Sequence, residues 1–324
     1  MKALALFSGG LDSVLAMKLI VDQGIEVVAV NINTGFGSTK DRLEHMQSMC
    51  DQIGAKLEIL DLREKFLDEV LFDPKYGYGK NFNPCIDCHG FMFRYTGKLL
   101  EKYDADFMIS GEVVGQRPMS QNKEAMNNVA RLSEQDDLIL RPLSAKVLPI
   151  TKPEREGWVD REKLMDITGR SRTPQLELAK QIGLENFEAP AGGCLLTEIN
   201  FSNRLRDFVN KDKMEINDID TLKFGRHLRL PDGAKLIVGR NQEDNNMLKA
   251  TQSNKYDKAR ILDASGPLCL LQKDASDSDK QLATKIIITY GRTDLDKEYE
   301  VTYGSYSLKD TRLEDKSSIQ KYLI

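Results

Sequence analysis

The sequence predicts an α/β chain: a doubly wound parallel sheet followed by a second, smaller α+β domain. Three observations carry this reading. Short apolar runs alternate with helical patterns from Ala3 to Gly183. Glycine-rich loops follow the first two runs, at the strand ends where such sheets hold their ligands. Past Val209 the pattern changes to short strands in a polar background.

Ala3 to Phe7 reads as a buried strand, and Val14 to Ile20 as a helix with apolar residues at helical spacing. Between them lies Ser8-Gly9-Gly10-Leu11-Asp12-Ser13. Two glycines let the backbone turn tightly and approach a ligand closely. The loop amides and the helix N-terminus form a place for an anion, most simply a phosphate. Ser8 and Ser13 add hydroxyl donors. Asp12 repels a phosphate directly, so its role there runs through Mg²⁺ or through holding the loop. An ordinary Gly-rich βα turn has the same order of elements.

Glu26 to Asn31 is the second strand. The loop Thr34 to Thr39 follows it, then a helix over Lys40 to Ile53 and a third strand over Leu57 to Leu60. Asn31, Asn33 and Thr34 are candidates to bind at this strand end, or turn formers. Asp73 to Asn83 reads as a loop, and Phe91 to Tyr103 as a helix. Asp106 to Ser110 is a strand, leading into Gly111 to Gln121. There Glu112, Gln116 and Arg117 are candidates to touch a nucleotide or a base, Arg117 equally to pair with a surface carboxylate. Leu138 to Leu143 is strand-like, and Asp160 to Gly169 and Thr173 to Gly183 read as a helical pair. A domain boundary falls near Thr197 to Asn200, giving domains 1–198 and 199–324. In the second, Phe201 to Val209 and Asp218 to Arg226 read as helices. Ala234 to Val238, Arg260 to Leu262, Leu268 to Gln272 and Lys285 to Tyr290 read as strands, and Asp274 to Asp279 as a solvated loop.

Composition bounds the function. The 324 residues are 40% hydrophobic and 30% charged, as in ordinary globular chains. Apolar runs are strand-length, so no membrane span is expected. Met1-Lys2 runs straight into the first strand, which leaves no signal peptide and makes the cytoplasm the expected compartment. The net charge of −4 gives no support to non-specific nucleic-acid binding. Five cysteines in such a compartment point to metal or redox chemistry rather than a disulfide framework.

Cys85 and Cys88 form a Cys-x-x-Cys pair followed by His89. A c-type haem site matches this literally but needs an exported protein; a thioredoxin-like pair sits at a helix N-terminus in another fold. Cys194, in the turn Ala189-Pro190-Ala191-Gly192-Gly193-Cys194, supplies a third thiol. Three cysteines fall short of the four ligands of structural zinc. They suit a [4Fe–4S] cluster with one open iron, or a persulfide on one thiol resolved by a second. They also read as small core residues, which is how Cys50 and Cys269 are read.

The loop Ser8 to Ser13 resembles the PP-loop signature Ser-Gly-Gly-x-Asp-Ser of the ATP pyrophosphatase superfamily. The resemblance implies an adenine nucleotide alpha hydrolase-like fold and Mg²⁺–ATP held by Ser8, Gly9, Gly10, Leu11, Asp12 and Ser13. It implies adenosine near Asn31 and Thr34, and further contacts from Gly111 and Gln116. Asn83-Pro84-Cys85-Ile86-Asp87-Cys88 is similar to the Asn-Pro-Cys-x-x-Cys segment of tRNA 2-thiouridylases. Gly111-Glu112-Val113-Val114-Gly115-Gln116, with Ser120-Gln121 and Arg141-Pro142-Leu143, is similar to segments of tRNA 4-thiouridine synthetases. These likenesses imply an ATP-dependent tRNA sulfurtransferase that adenylates a uridine carbonyl and replaces its oxygen with sulfur. Cys85, Cys88, Cys194 and Asp12 are then the catalytic set. The three cysteines double as ligands of a [4Fe–4S] cluster where one is present, and a sulfur donor, a cysteine desulfurase or sulfide, is a partner. Phe224-Gly225-Arg226, Gly239-Arg240-Asn241 and Tyr290-Gly291-Arg292 resemble the RNA-associated domain of NFACT proteins. The competing readings are sulfur or amide transfer to a small molecule, and a non-catalytic nucleotide-binding module.

Overall fold

The computed structural model describes residues 1–37, 42–187 and 193–324, which divide into two compact units, Met1–Thr197 and Glu198–Ile324. Ser38 and Thr39 of the second Gly-rich loop, Lys40 of the following helix, and Ala189 to Gly192 of the Cys194 turn lie outside the described residues.

In the first unit β1 (Lys2–Leu6), β2 (Glu26–Asn33), β3 (Lys56–Asp61), β4 (Phe107–Ser110) and β5 (Ile139–Leu140) form one parallel sheet, in the order β3-β2-β1-β4-β5. Alternate residues of the strands bury opposite ways. Ala3, Ala5, Val27, Ala29, Phe107 and Ile109 enter one core with Val14, Met17 and Ile20 of α1 (Leu11–Val21), Met49 of α2 (Leu43–Ile53) and Leu178 of α5 (Thr173–Gln181). Leu4, Val28, Val30 and Met108 enter the other, with Phe93 of α3 (Cys85–Gly97) and Val129 of α4 (Lys123–Ser133). Both faces are covered, as a parallel sheet requires, and the fold is doubly wound. The order reverses between β1 and β4, so the loops that leave these two neighbouring strands flank one crevice.

Several local expectations change. The helix read as starting at Phe91 starts at Cys85, six residues earlier in the chain, and a separate turn of helix covers Leu100–Tyr103. Asp160 to Gly169 is not a helix. Asp160 caps a single 3-10 turn, Arg161–Lys163. Met165 and Ile167 then donate their amides to Pro142 and Leu143, so the chain runs extended alongside that segment. Lys123–Ser133, capped by Asn122, is a helix that the polar sequence around it conceals.

The second unit is an antiparallel sheet in the order β11-β10-β8-β9-β7-β6. Its strands are β6 (Arg226–Arg229), β7 (Lys235–Val238), β8 (Tyr256–Ile261), β9 (Cys269–Gln272), β10 (Tyr299–Tyr303) and β11 (Tyr306–Asp310). Its helices are α6 (Ile199–Val209), α7 (Ile216–Lys223), α8 (Gln242–Ala250) and α9 (Asp277–Tyr290). The Lys285 to Tyr290 run is the end of α9, not a strand. Ser276 caps this helix, and its 14 residues bury Ile286, Ile287 and Ile288 in the core. Consequently Asp277 to Asp279 is its first turn rather than a solvated loop. Asp279 is 1% exposed and accepts the amides of Asp232 and Ala234. The Asp218 to Arg226 helix ends at Lys223, and Arg226 opens β6.

Candidate functional site

The loop after β1 begins the site. Gly9 has φ +76°, and a Cβ on it would lie 2.9 Å from Met46 Cγ, so glycine is required twice over. Gly10 is the N-cap of α1 and no side chain caps the helix. Its carbonyl accepts the amides of Ser13 and Val14 and the Ser13 hydroxyl, at 2.7 Å for the hydroxyl. The Ser13 proton is therefore spent on the loop itself, whereas Ser8 is exposed. Leu11 is buried in the core and anchors the turn.

Asp12 is held on one side only. Its Oδ2 accepts Gln116 Nε2 at 2.6 Å and Arg172 Nη1 at 3.4 Å. Its Oδ1 is buried and has no hydrogen-bond partner. A buried, unpaired carboxylate oxygen is costly without a cation, so this side chain fits Mg²⁺, one of the two roles that the sequence leaves open for it; its Oδ2 contacts fit the other, holding the loop. Gln116 is committed on both sides, because its carbonyl accepts Gln175 Nε2 at 2.8 Å. Gly111 leaves β4 directly against this loop: a Cβ on it would lie 2.5 Å from the Asp12 carbonyl carbon and from the Ser13 nitrogen. The loop after β2 is less open than its composition implies. Asn31 Nδ2 donates to the Phe7 carbonyl at 2.8 Å, tying β2 to the end of β1, and Asn33 Oδ1 accepts the Gly35 amide. Thr34 sits between them, half-buried.

Cys85 and Cys88 occupy the first turn of α3. Asp87 between them is buried and accepts the amides of Lys75 and Tyr76, which fixes the preceding loop to the helix. Asn83 Nδ2 donates to Cys85 Sγ at 3.0 Å. The Cys194 segment is pinned from two sides. Leu195 donates its amide to the Phe36 carbonyl, in the loop after β2, and Asn81 Nδ2 reaches the Thr197 carbonyl. The three thiols are half-buried, and Cys88 and Cys194 each feel the charge of a neighbouring cysteine. Burial pushes Cys88 well above its ordinary range, and Cys194 and Cys85 add to this. Burial pushes Cys194 up to about 11; the Leu196 amide opposes this and Cys85 adds to it. Three thiols without a fourth protein ligand are the set that the sequence offers either for a [4Fe–4S] cluster or for persulfide chemistry. Among the described residues, no group of three or more His, Cys, Asp or Glu is arranged to hold a metal ion.

One segment joins the two halves. Glu112, next to Gly111, is buried and accepts His89 Nδ1 at 2.8 Å and Arg141 Nε at 2.8 Å. Burial raises its pKa, but Arg141 and His89 outweigh this and hold it at about 2. Glu112 is thus an ionised strut between α3 and β4 rather than a residue facing a nucleotide. Arg172 escaped sequence reasoning because its partner lies 160 residues away, and His89 stood out only as part of the cysteine motif, its partner Glu112 lying 23 residues on. Cys50 and Cys269 are buried in the cores, as their positions in apolar elements suggested. No helix among the described residues is long and apolar enough to cross a membrane.

Residues 1–151 match the family model described as tRNA methyl transferase HUP domain, and residues 225–322 match the NFACT protein RNA binding domain. The tRNA-specific 2-thiouridylase MnmA 2 of Fusobacterium nucleatum is 30% identical over 107 residues, 32% of this chain and 31% of that one. The tRNA-specific 2-thiouridylase MnmA of Malacoplasma penetrans is 25% identical over 255 residues, 70% of this chain and 65% of that one. The chain thus spans less than two thirds of the length of either relative. Among solved structures, a 4-thiouridine synthetase–RNA complex with bound ATP aligns with TM-score 0.41 and 23% identity. That alignment covers 56% of this chain and 40% of that one. The likeness to the tRNA 2-thiouridylases and the likeness to the NFACT RNA-associated domain, both read from the motifs, are borne out.

Proposed function

We propose that this chain, which joins a PP-loop domain like that of the tRNA-thiolating enzymes to an NFACT-like C-terminal domain, is an ATP-dependent tRNA sulfurtransferase. The observation that carries the reading is the segment Gly111-Glu112. It packs on the Asp12 backbone at one residue and grips His89, beside Cys88, at the next. The nucleotide loop and the thiol helix therefore share one support within the first unit.

In this scheme the amides of the loop 8–13 would hold the ATP phosphates, and Asp12 would hold Mg²⁺. A uridine carbonyl oxygen attacks the α-phosphate and pyrophosphate leaves. Uracil carbonyls resist displacement, and adenylation makes that oxygen a good leaving group. A persulfide on one of Cys85, Cys88 and Cys194, charged by a sulfur donor, attacks the activated carbon as AMP leaves. A second thiol then attacks the bridging sulfur, which frees the thiocarbonyl and leaves a disulfide for an external thiol to reduce. Cys85, Cys88 and Cys194 would also be the residues to hold a [4Fe–4S] cluster, which would supply the sulfur as sulfide.

The function divides with the two units, at the boundary expected near residue 198. The second unit has a groove of about 440 Å³ between α8 and the strands β8 and β10. Lys249, Lys258 and Arg260 line it with Gln242, Asn245 and Asn246, and no carboxylate does. That charge and donor pattern supports RNA phosphate contact despite the net charge of −4. The net charge favours a small-molecule substrate for the same chemistry. The test is nucleoside mass spectrometry of tRNA from cells lacking the gene: a missing thiouridine supports the tRNA reading, and an unchanged profile opposes it.

A further inference from the structure

Asp12 is an asymmetric carboxylate, and the asymmetry is built from a distance. Gln175 is fully buried on α5, near the Arg172 that starts this helix. Its Nε2 donates to Gln116 Oε1 at 2.8 Å, and Gln116 Nε2 donates to Asp12 Oδ2 at 2.6 Å. The direction of this chain is forced. An ionised carboxylate only accepts, so Gln116 must turn its amide nitrogen to Asp12 and its carbonyl away. That carbonyl then needs a donor, which Gln175 supplies. The Gln175 carbonyl itself is buried and unpartnered. Burying a polar side chain with half its capacity unmet is unfavourable, so its place there points to a role other than packing.

We infer that Gln175 is a positioning residue for the nucleotide half-reaction: through Gln116 it fixes Asp12 by Oδ2 and keeps Oδ1 turned to the cation of Mg²⁺–ATP. This rests on the role proposed above for Asp12. Gln175 touches neither nucleotide nor metal. Arg172 adds a second, longer contact to the same Oδ2, so α5 as a whole backs the phosphate loop. Supporting partners of this kind change metal affinity about 10–100-fold when removed.

The test is calorimetric titration of ATP into the full chain, with Mg²⁺ and with chelator, without tRNA or a sulfur source. Gln175→Met keeps the volume and removes the donor. Gln175→Glu keeps the shape and turns donor into acceptor, which drives the Gln116 carbonyl toward Asp12. The ratio of affinities with and without Mg²⁺ should shrink by about tenfold or more in each folded variant, while metal-free ATP binds as in the wild type. A general packing role would lower both affinities together. That result, or an unchanged ratio in either folded variant, overturns the inference and leaves the proposed function standing. A wild-type chain that binds no ATP in either condition overturns both.

Discussion

Gly111 lies so close to Asp12 that a single added carbon would stand 2.5 Å from the Asp12 carbonyl carbon. Both partners are backbone, so neither yields cheaply. Gly111→Ala should displace β4 or the phosphate loop, cost about 1–3 kcal/mol of stability, and weaken ATP binding. Chemical denaturation and calorimetry on one preparation check both effects. An alanine variant with wild-type ATP affinity would mean that the contact does not shape the nucleotide site.

Glu112 is the strut of the site. Glu112→Gln leaves the buried Arg141 without its charged partner, a loss of about 3–5 kcal/mol. The pH dependence follows from the sign of the shift. Its folded-state pKa is depressed from 4.5 to about 2, so its contribution is complete above pH 4.5 and is lost as the pH falls toward 2. Acid titration of denaturant midpoints should show the wild type losing stability over that window faster than Glu112→Gln.

Thiol reactivity follows burial. Since burial first, and then the neighbouring thiols, push Cys88 up, and Cys194 stands at about 11, few thiolates form at neutral pH. Alkylation of both in the free protein should keep accelerating above their ordinary 9.0. Peptide mapping after timed labelling checks this, and a rate that levels off below that value would contradict the burial of these two thiols.

The groove in the second unit gives a salt signature. Lys249→Ala combined with Arg260→Ala should lower tRNA affinity across sequences and reduce the slope of log affinity against log salt by about 2. Filter binding over a salt series measures this. An unchanged slope would place the RNA elsewhere.

The legible parts of the sequence were those set by local pattern. The alternation from Ala3 to Ser110 and the glycines around Asp12 disclose the sheet and its ligand end, because strand burial and tight turns depend on neighbours in the chain. Helix starts were less legible: Cys85 opens α3 behind Pro84 with no side-chain cap to announce it. The run Ile286-Ile287-Ile288 imitates a strand because β-branched residues favour one, and the Ser276 cap that decides for helix lies ten residues earlier. The support of the site was invisible. His89–Glu112, Arg141–Glu112 and Gln175–Gln116–Asp12 join residues with no periodic relation, which only the folded topology brings together.

The most direct test of the central claim uses purified protein, Mg²⁺–ATP, a cysteine desulfurase with cysteine as sulfur donor, a reducing thiol and unmodified tRNA, with nucleosides measured by mass spectrometry. The account predicts a thiouridine that forms only with ATP, together with one pyrophosphate released per base. The double variant Cys85→Ser/Cys88→Ser, left with one thiol of the three, should form none while still binding ATP, and Asp12→Ala should release no pyrophosphate. Thiouridine formed equally well by the double variant, or no thiouridine from a wild-type chain that turns over ATP, would contradict it.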